Sequence, residues 1–166
     1  MLQPVVRRTW APRGETPVLD CWDRHDRLSV ISALTVSPKR RRLGLYFDIL
    51  DHNIRTDDFE TFVARLLKKM GRPITLVLDR WQVHRSGVRR IKWRFDRRVH
   101  LEWLPPYAPE LNPVEYVWGH TKHSDLANYV PEDTLRLGRS VNESLRNKRR
   151  DQILLRSFFH AAKLRL

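Results

Sequence analysis

Cysteine is almost absent from this sequence: Cys21 is the single one among 166 residues. A lone thiol closes no internal disulfide, and no Cys or His flanks it at zinc-ligand spacing, so neither a disulfide framework nor a structural zinc site is supported. Any metal must then be held by oxygen. No apolar run approaches the ~20 residues a membrane span needs, and MLQPVVRRTWAPRG has no apolar signal-peptide core, so a cytoplasmic protein without membrane contact is expected. Internal repeats and low-complexity linkers are missing as well. Acids are scarce beside bases, 19 Asp and Glu against 32 Lys and Arg, a formal charge of +13. A field of that sign attracts polyanions, above all nucleic acid, by neutralising phosphates and releasing their counterions. A merely basic soluble protein or a ribosome-associated one is the plainer alternative on charge alone.

What is present suffices for a fold. Hydrophobic residues make up 41% of the chain, with six Trp and six Phe, and a chain of this size buries roughly two thirds of its unfolded surface. One globular domain is the default. Leu28 to Val36 and Leu43 to Leu50 are rich in β-branched and aromatic residues and flank a turn at Ser37-Pro38-Lys39-Arg40, which predicts a hairpin. Asp57 and Glu60 form a capping-box pattern ahead of Phe59, Phe62, Val63, Leu66 and Leu67 at helical spacing, stopped by Gly71 and Pro73. Ile74 to Asp79 (ITLVLD) is a continuous apolar run of the buried parallel-strand type, ending in an acid. Ser86 to Phe95 suits a short amphipathic helix with Val88, Ile91 and Phe95 on one face. His100 to Leu104 predicts a strand before the Pro105-Pro106-Tyr107 corner. The last third is helical: one helix opens at Asn112-Pro113, one carries Leu137, Val141 and Leu145, and one carries Leu154, Phe158 and Ala161. This order predicts an α/β fold with a mixed sheet.

Two acids stand where chemistry is expected. Asp79 ends an apolar strand, and ligands of open α/β sheets bind at strand C-termini; a turn or cap role explains an Asp there equally well. Glu115 lies three residues after Asn112 with Pro113 between, which is a capping box complete without catalysis.

The longer string LPPYAPELNPVEYVWGHTK, Leu104 to Lys122, with LVLD at Leu76 to Asp79, resembles the bacterial insertion-sequence branch of the mariner-like DDE transposases. There a strand ending in Asp is followed, after a gap of similar length, by a Pro-rich corner, Asn-Pro and a Glu. Here 115 − 79 = 36 positions separate the acids. RTWAPRGETPVL, Arg8 to Leu19, is similar to the Trp-containing loop after that family's first strand. The resemblance implies an RNase H-like mixed sheet flanked by helices, a single catalytic domain over residues 1–166, and three carboxylates that hold two divalent ions, Mg²⁺ or Mn²⁺, with the ions about 3.5 to 4 Å apart. Asp79 matches the second carboxylate and Glu115 the third, both as metal ligands and catalytic residues. DNA, as element ends and target, is the implied partner, with a homodimer or association with an N-terminal part also open.

The first carboxylate belongs on a strand ahead of the Trp loop, and the sequence given starts past it. The resemblance therefore implies an N-terminally incomplete domain that lacks its first, central strand, inactive and poorly stable alone, with two unpaired sheet edges. Asp20, Asp23, Asp26, Asp48 and Asp51 fall after the loop and none is assigned to the role. A non-catalytic DNA-binding remnant that modulates full-length transposase is the alternative function. Lesser candidates are His84, either a metal-ligand orienter or a polar residue at a helix start, and the basic clusters Lys39 to Arg42, Arg85 to Arg98 and Lys148 to Arg150, either DNA-tracking or simply solvated. Arg80-Trp81 departs from the small and amide residues usual after that Asp. Trp118 is expected in the core beneath Glu115.

Overall fold

The hairpin forms where alternation and turn chemistry place it. A computed structural model describes residues 7–15, 17–18 and 27–166. Strands β1 (Ser29–Val36) and β2 (Leu43–Leu50) pair antiparallel along their whole length, with Val36 opposite Leu43 and Ser29 opposite Leu50. The turn closes by the Ser37 N–H donating to the Arg42 carbonyl, with Arg40 in the left-handed region.

Helix α1 (Thr56–Met70) follows and buries Phe59, Phe62, Val63, Leu66 and Leu67, the face that the 3.6-residue period marks. It ends at Gly71, whose φ of 66° needs a residue without Cβ strain. The N-terminal cap differs from expectation. Arg55 is the cap residue, and Asp58 rather than Glu60 accepts its N–H at 2.7 Å. Glu60 instead pairs with Arg94 of the next helix at 2.8 Å.

Strand β3 (Ile74–Leu78), helix α2 (Gln82–Phe95) and strand β4 (Val99–Trp103) make a parallel unit, with Ile74 opposite Val99 and Leu78 opposite Trp103. Helix α2 starts four residues ahead of the Ser86 expected, since Asp79 and Trp81 turn the chain directly into it. β3 is not the buried strand its apolar run suggests: Val77 is 55% exposed and only Leu78 is fully buried.

Helices α3 (Pro113–His120), α4 (Thr134–Arg150) and α5 (Gln152–Ala161) complete the chain, α3 continuing into a π-helical turn at Thr121–Asp125. Leu137, Val141 and Leu145 are buried as expected, but α5 buries Leu155, Phe158 and Phe159 while Ala161 is exposed, so its inner face is rotated from the one expected. Gln152 covers the outer edge of β2, its side-chain amide donating to the Leu43 carbonyl and accepting from the Leu43 N–H.

Alternate side chains of β1 enter different layers. Ile31 and Ala33 pack with α1, α2, β3 and β4, whereas Val30 and Leu34 pack with α3, α4 and α5. Both antiparallel and parallel pairings are present, but as two separate two-stranded sheets, β1 with β2 and β3 with β4. A cavity of about 1590 Å³ lies between them, lined by Val30 to Val36 of β1 and Ile74 to Leu78 of β3. Among the described residues no helix is long and apolar enough to cross a membrane.

Candidate active site at the end of strand β3

Asp79 directly follows β3 and lies at the wall of this cavity, as do Glu115, Trp81, His84 and Lys122. Its position is fixed by two hydrogen bonds to one oxygen. Oδ1 accepts from His84 Nδ1 at 2.7 Å and from the Trp81 N–H at 3.1 Å, while Oδ2 has no partner among the described residues. The imidazole must be the donor, because an ionised carboxylate only accepts. These bonds, with the His84 bond foremost, hold the Asp79 carboxyl below the usual aspartate range against the opposing effect of partial burial. His84 is itself fixed by rings, with Phe59 at 4.7 Å and Trp81 edge-on at 5.3 Å. It therefore does more than start a helix: it orients the acid.

Glu115 reaches the same cavity from the first turn of α3. Asn112 caps that helix, its Oδ1 accepting from the Val114 N–H at 3.1 Å. The reciprocal half of the capping box does not form, because the Asn112 N–H donates to the Pro109 carbonyl at 3.0 Å instead. Glu115 is thus left with no hydrogen-bond partner among the described residues. Desolvation and then the charge of Asp79 push its carboxyl above the usual glutamate range, with Lys122 opposing. Trp118, on the same helix, is part-buried against the α3–α5 core and lines the cavity beside Glu115.

No third acid joins the pair: among the described residues no group of three or more His, Cys, Asp or Glu is placed to hold a metal ion. Asp48 is engaged by Arg65, and Asp51 by His52 at 2.9 Å. Asp20, Asp23 and Asp26 lie outside the described residues, as does Cys21. The donor set still suits a hard cation. Two oxygen ligands, one with a free lone-pair face and one unpartnered and repelled by its neighbour, are what Mg²⁺ or Mn²⁺ would stabilise while keeping several waters.

The basic clusters divide. Lys148 is buried at 2% exposure and paired with Asp125, with Ser144 donating to the same carboxylate at 2.6 Å, so it is a core group and no phosphate contact. Arg90 and Arg94 pair with Asp57 and Glu60 of α1, which ties α2 to its neighbour. Arg85, Arg89 and Lys92 make no ion pair with a described residue. Arg80 places its guanidinium 6.0 Å from the Trp103 ring beside the site. Trp10 is fully exposed, and the loop around it is anchored where the Arg7 N–H donates to Asn128 Oδ1 at 2.6 Å.

A search by sequence among characterised proteins finds no match. The structure of the Mos1 strand transfer complex is similar at a TM-score of 0.61 and 14% identity, covering 98% of this chain and 47% of that one. That likeness fixes the fold as RNase H-like, and the chain spans about half the length of the Mos1 chain. A family profile described as DDE superfamily endonuclease matches residues 1–135. With the carboxylate pair at the strand end and this match over most of its length, the chain belongs to the DDE superfamily of endonucleases.

Proposed function

We propose that residues 1–166 form a single catalytic domain of a mariner-like DNA transposase of the bacterial insertion-sequence branch, which cuts and joins DNA strands with divalent ions. The observation that supports this best is Glu115: a carboxylate freed from its helix cap, without a hydrogen-bond partner among the described residues, and lining one cavity with Asp79, whose charge it feels. An arrangement that only stabilised α3 would have used it in the cap.

In this reading Asp79 and Glu115 hold the metal. Held there, Mg²⁺ or Mn²⁺ would supply positive charge to offset that of the phosphate and Lewis acidity to make a water or 3′-hydroxyl more nucleophilic. The protein's own groups do the rest. His84 and the Trp81 N–H favour the ionised form of Asp79 and engage only its Oδ1, leaving Oδ2 without a partner among the described residues. Glu115, on the rigid first turn of α3, sets the second ligand position, and Lys122 and Arg80 offer positive charge to the DNA backbone at the cavity wall. A third carboxylate comes from outside the described residues.

The test is metal-dependent cleavage of DNA carrying the element's ends, by this chain and by a form extended upstream by one strand and its acid. Cleavage by the extended form, abolished by Asp79→Ala or Glu115→Ala, supports the reading. Cleavage by the 166-residue chain alone would place the third acid within it. If neither form cleaves, the non-catalytic DNA-binding remnant becomes the better account.

A further inference from the structure

An indole lies open beside the carboxylates. Trp81, two residues past Asp79, donates its backbone N–H to Asp79 Oδ1 at 3.1 Å, and its ring meets that of His84 edge-on at 5.3 Å between centroids. An edge-on contact covers at most one face of the indole. The residue is 44% exposed and lines the cavity that holds Asp79 and Glu115, and its indole N–H donates to no described residue. A Trp that served only to pack His84 would gain most from full burial of its apolar area. The surroundings are cationic. Arg80 holds its guanidinium 6.0 Å from the Trp103 ring and forms no ion pair with a described residue, and Lys122 lines the same cavity. A ligand that answers a bare aromatic face and neighbouring cations together is a nucleotide, which joins a flat base to a charged phosphate. Paired duplex cannot supply one. There each base has both faces covered by its neighbours and shows only its edges in the grooves.

We propose that Trp81 stacks on one unpaired base of the DNA, next to the phosphate held at Asp79 and Glu115, so that the site prefers a locally unpaired strand to continuous duplex. The inference rests on the nuclease reading above and adds to it the form of DNA the site takes. Trp81 is the side chain that selects because its own N–H is bonded to Asp79, which keeps the ring and the metal ligand within one turn of chain. It selects for unpairing rather than for sequence, since every base offers a π-face to an aromatic ring. Trp93 is still more open, at 87% exposure, but lines no part of the cavity and has no such role.

The experiment measures binding of the 166-residue chain, with Ca²⁺ present, to two short duplexes of one sequence. One is fully paired and the other carries a single unpaired 2-aminopurine at its centre. The unpaired duplex binds about tenfold more tightly, and its fluorescence is quenched on binding. Trp81→Leu keeps bulk against His84 but has no π-face, so it brings the ratio of the two affinities to about one and removes the quenching. Trp81→Phe keeps both in part, and Trp93→Leu leaves both unchanged. A merely structural loss at Trp81 would weaken both duplexes alike and leave the ratio intact. Equal binding of the two duplexes by the unaltered chain, a ratio that survives Trp81→Leu, or one that Trp93→Leu abolishes overturns the stacking role while the nuclease reading stands. Failure of both duplexes to bind overturns the stacking role and counts against the nuclease reading with it.

Discussion

Gly87 makes the coupling between the α1–α2 interface and the site measurable. In an exposed helix interior, Gly→Ala gains about 1 kcal/mol from backbone entropy. At Gly87 a Cβ would stand 2.6 Å from Phe59 Cδ1 and 3.1 Å from Cε1. The ring cannot swing aside, since Phe59 is 2% exposed and its centroid lies 4.7 Å from the tilted His84 ring. Overpacking of this kind costs about 1–3 kcal/mol, so steric conflict wins and Gly87→Ala is expected to destabilise by about 1–2 kcal/mol net. Gly119 in α3 provides the opposite case, because nothing lies within 4 Å of its added Cβ. There the same change should stabilise by about 1 kcal/mol. Urea unfolding followed by far-UV circular dichroism reads both: with a slope of about 2 kcal/mol/M, Gly87→Ala lowers the midpoint by about 0.5–1 M and Gly119→Ala raises it by about 0.5 M. Equal or greater stability of Gly87→Ala, or matching losses at both positions, would refute the packing described for Phe59, His84 and the acid they support.

Lys148→Ala, which strands the Asp125 carboxylate, is expected to cost roughly 2–4 kcal/mol, below the cost for a fully buried pair because Asp125 keeps 31% of its side chain exposed; Lys148→Met should cost less, and the urea midpoints rank the two. Asp125 also gives a pH signature: its carboxyl is held below the ordinary 3.8 by hydrogen bonds from Lys148 and Ser144 that outweigh burial, the largest single effect. A carboxyl lowered in the folded state adds stability that is present above 3.8 and lost as pH falls through its depressed folded value, so the acid limb of the unfolding midpoint should flatten in Asp125→Asn. His84→Ala removes the bond that foremost lowers the Asp79 carboxyl, and carboxyl ¹³C titration should show that group moving up toward its ordinary range; an unchanged titration would contradict the orienting role of His84.

Local periodicity reads well in this chain, and long-range pairing does not. The five buried residues of α1, the existence of the hairpin and the strand–helix–strand order of β3, α2 and β4 follow from spacing and turn chemistry that lie within a few residues of one another. The Asp58 cap is missed because Arg55 carries no capping signature of its own. Lys148 reads as one more charge of a basic tract, since its partner Asp125 is 23 residues away, at the end of a π-helical turn. ITLVLD reads as buried, yet half of β3 faces a slot rather than a neighbour, and composition cannot report an unpaired edge. At the site, Asp79 and Glu115 are legible only through the Pro-rich corner and its spacing. The His84 bond and the unmade half of the Asn112 capping box are facts of geometry, and the second of these separates a helix-capping Glu from one available for chemistry.

The central claim, that Asp79 and Glu115 serve one divalent ion together, is tested most directly by Mn²⁺ binding to the chain, followed by electron paramagnetic resonance of the free ion. The account predicts that Asp79→Asn and Glu115→Gln each abolish the strongest site and that the double variant is no worse than either. Unchanged Mn²⁺ binding in both single variants would contradict it.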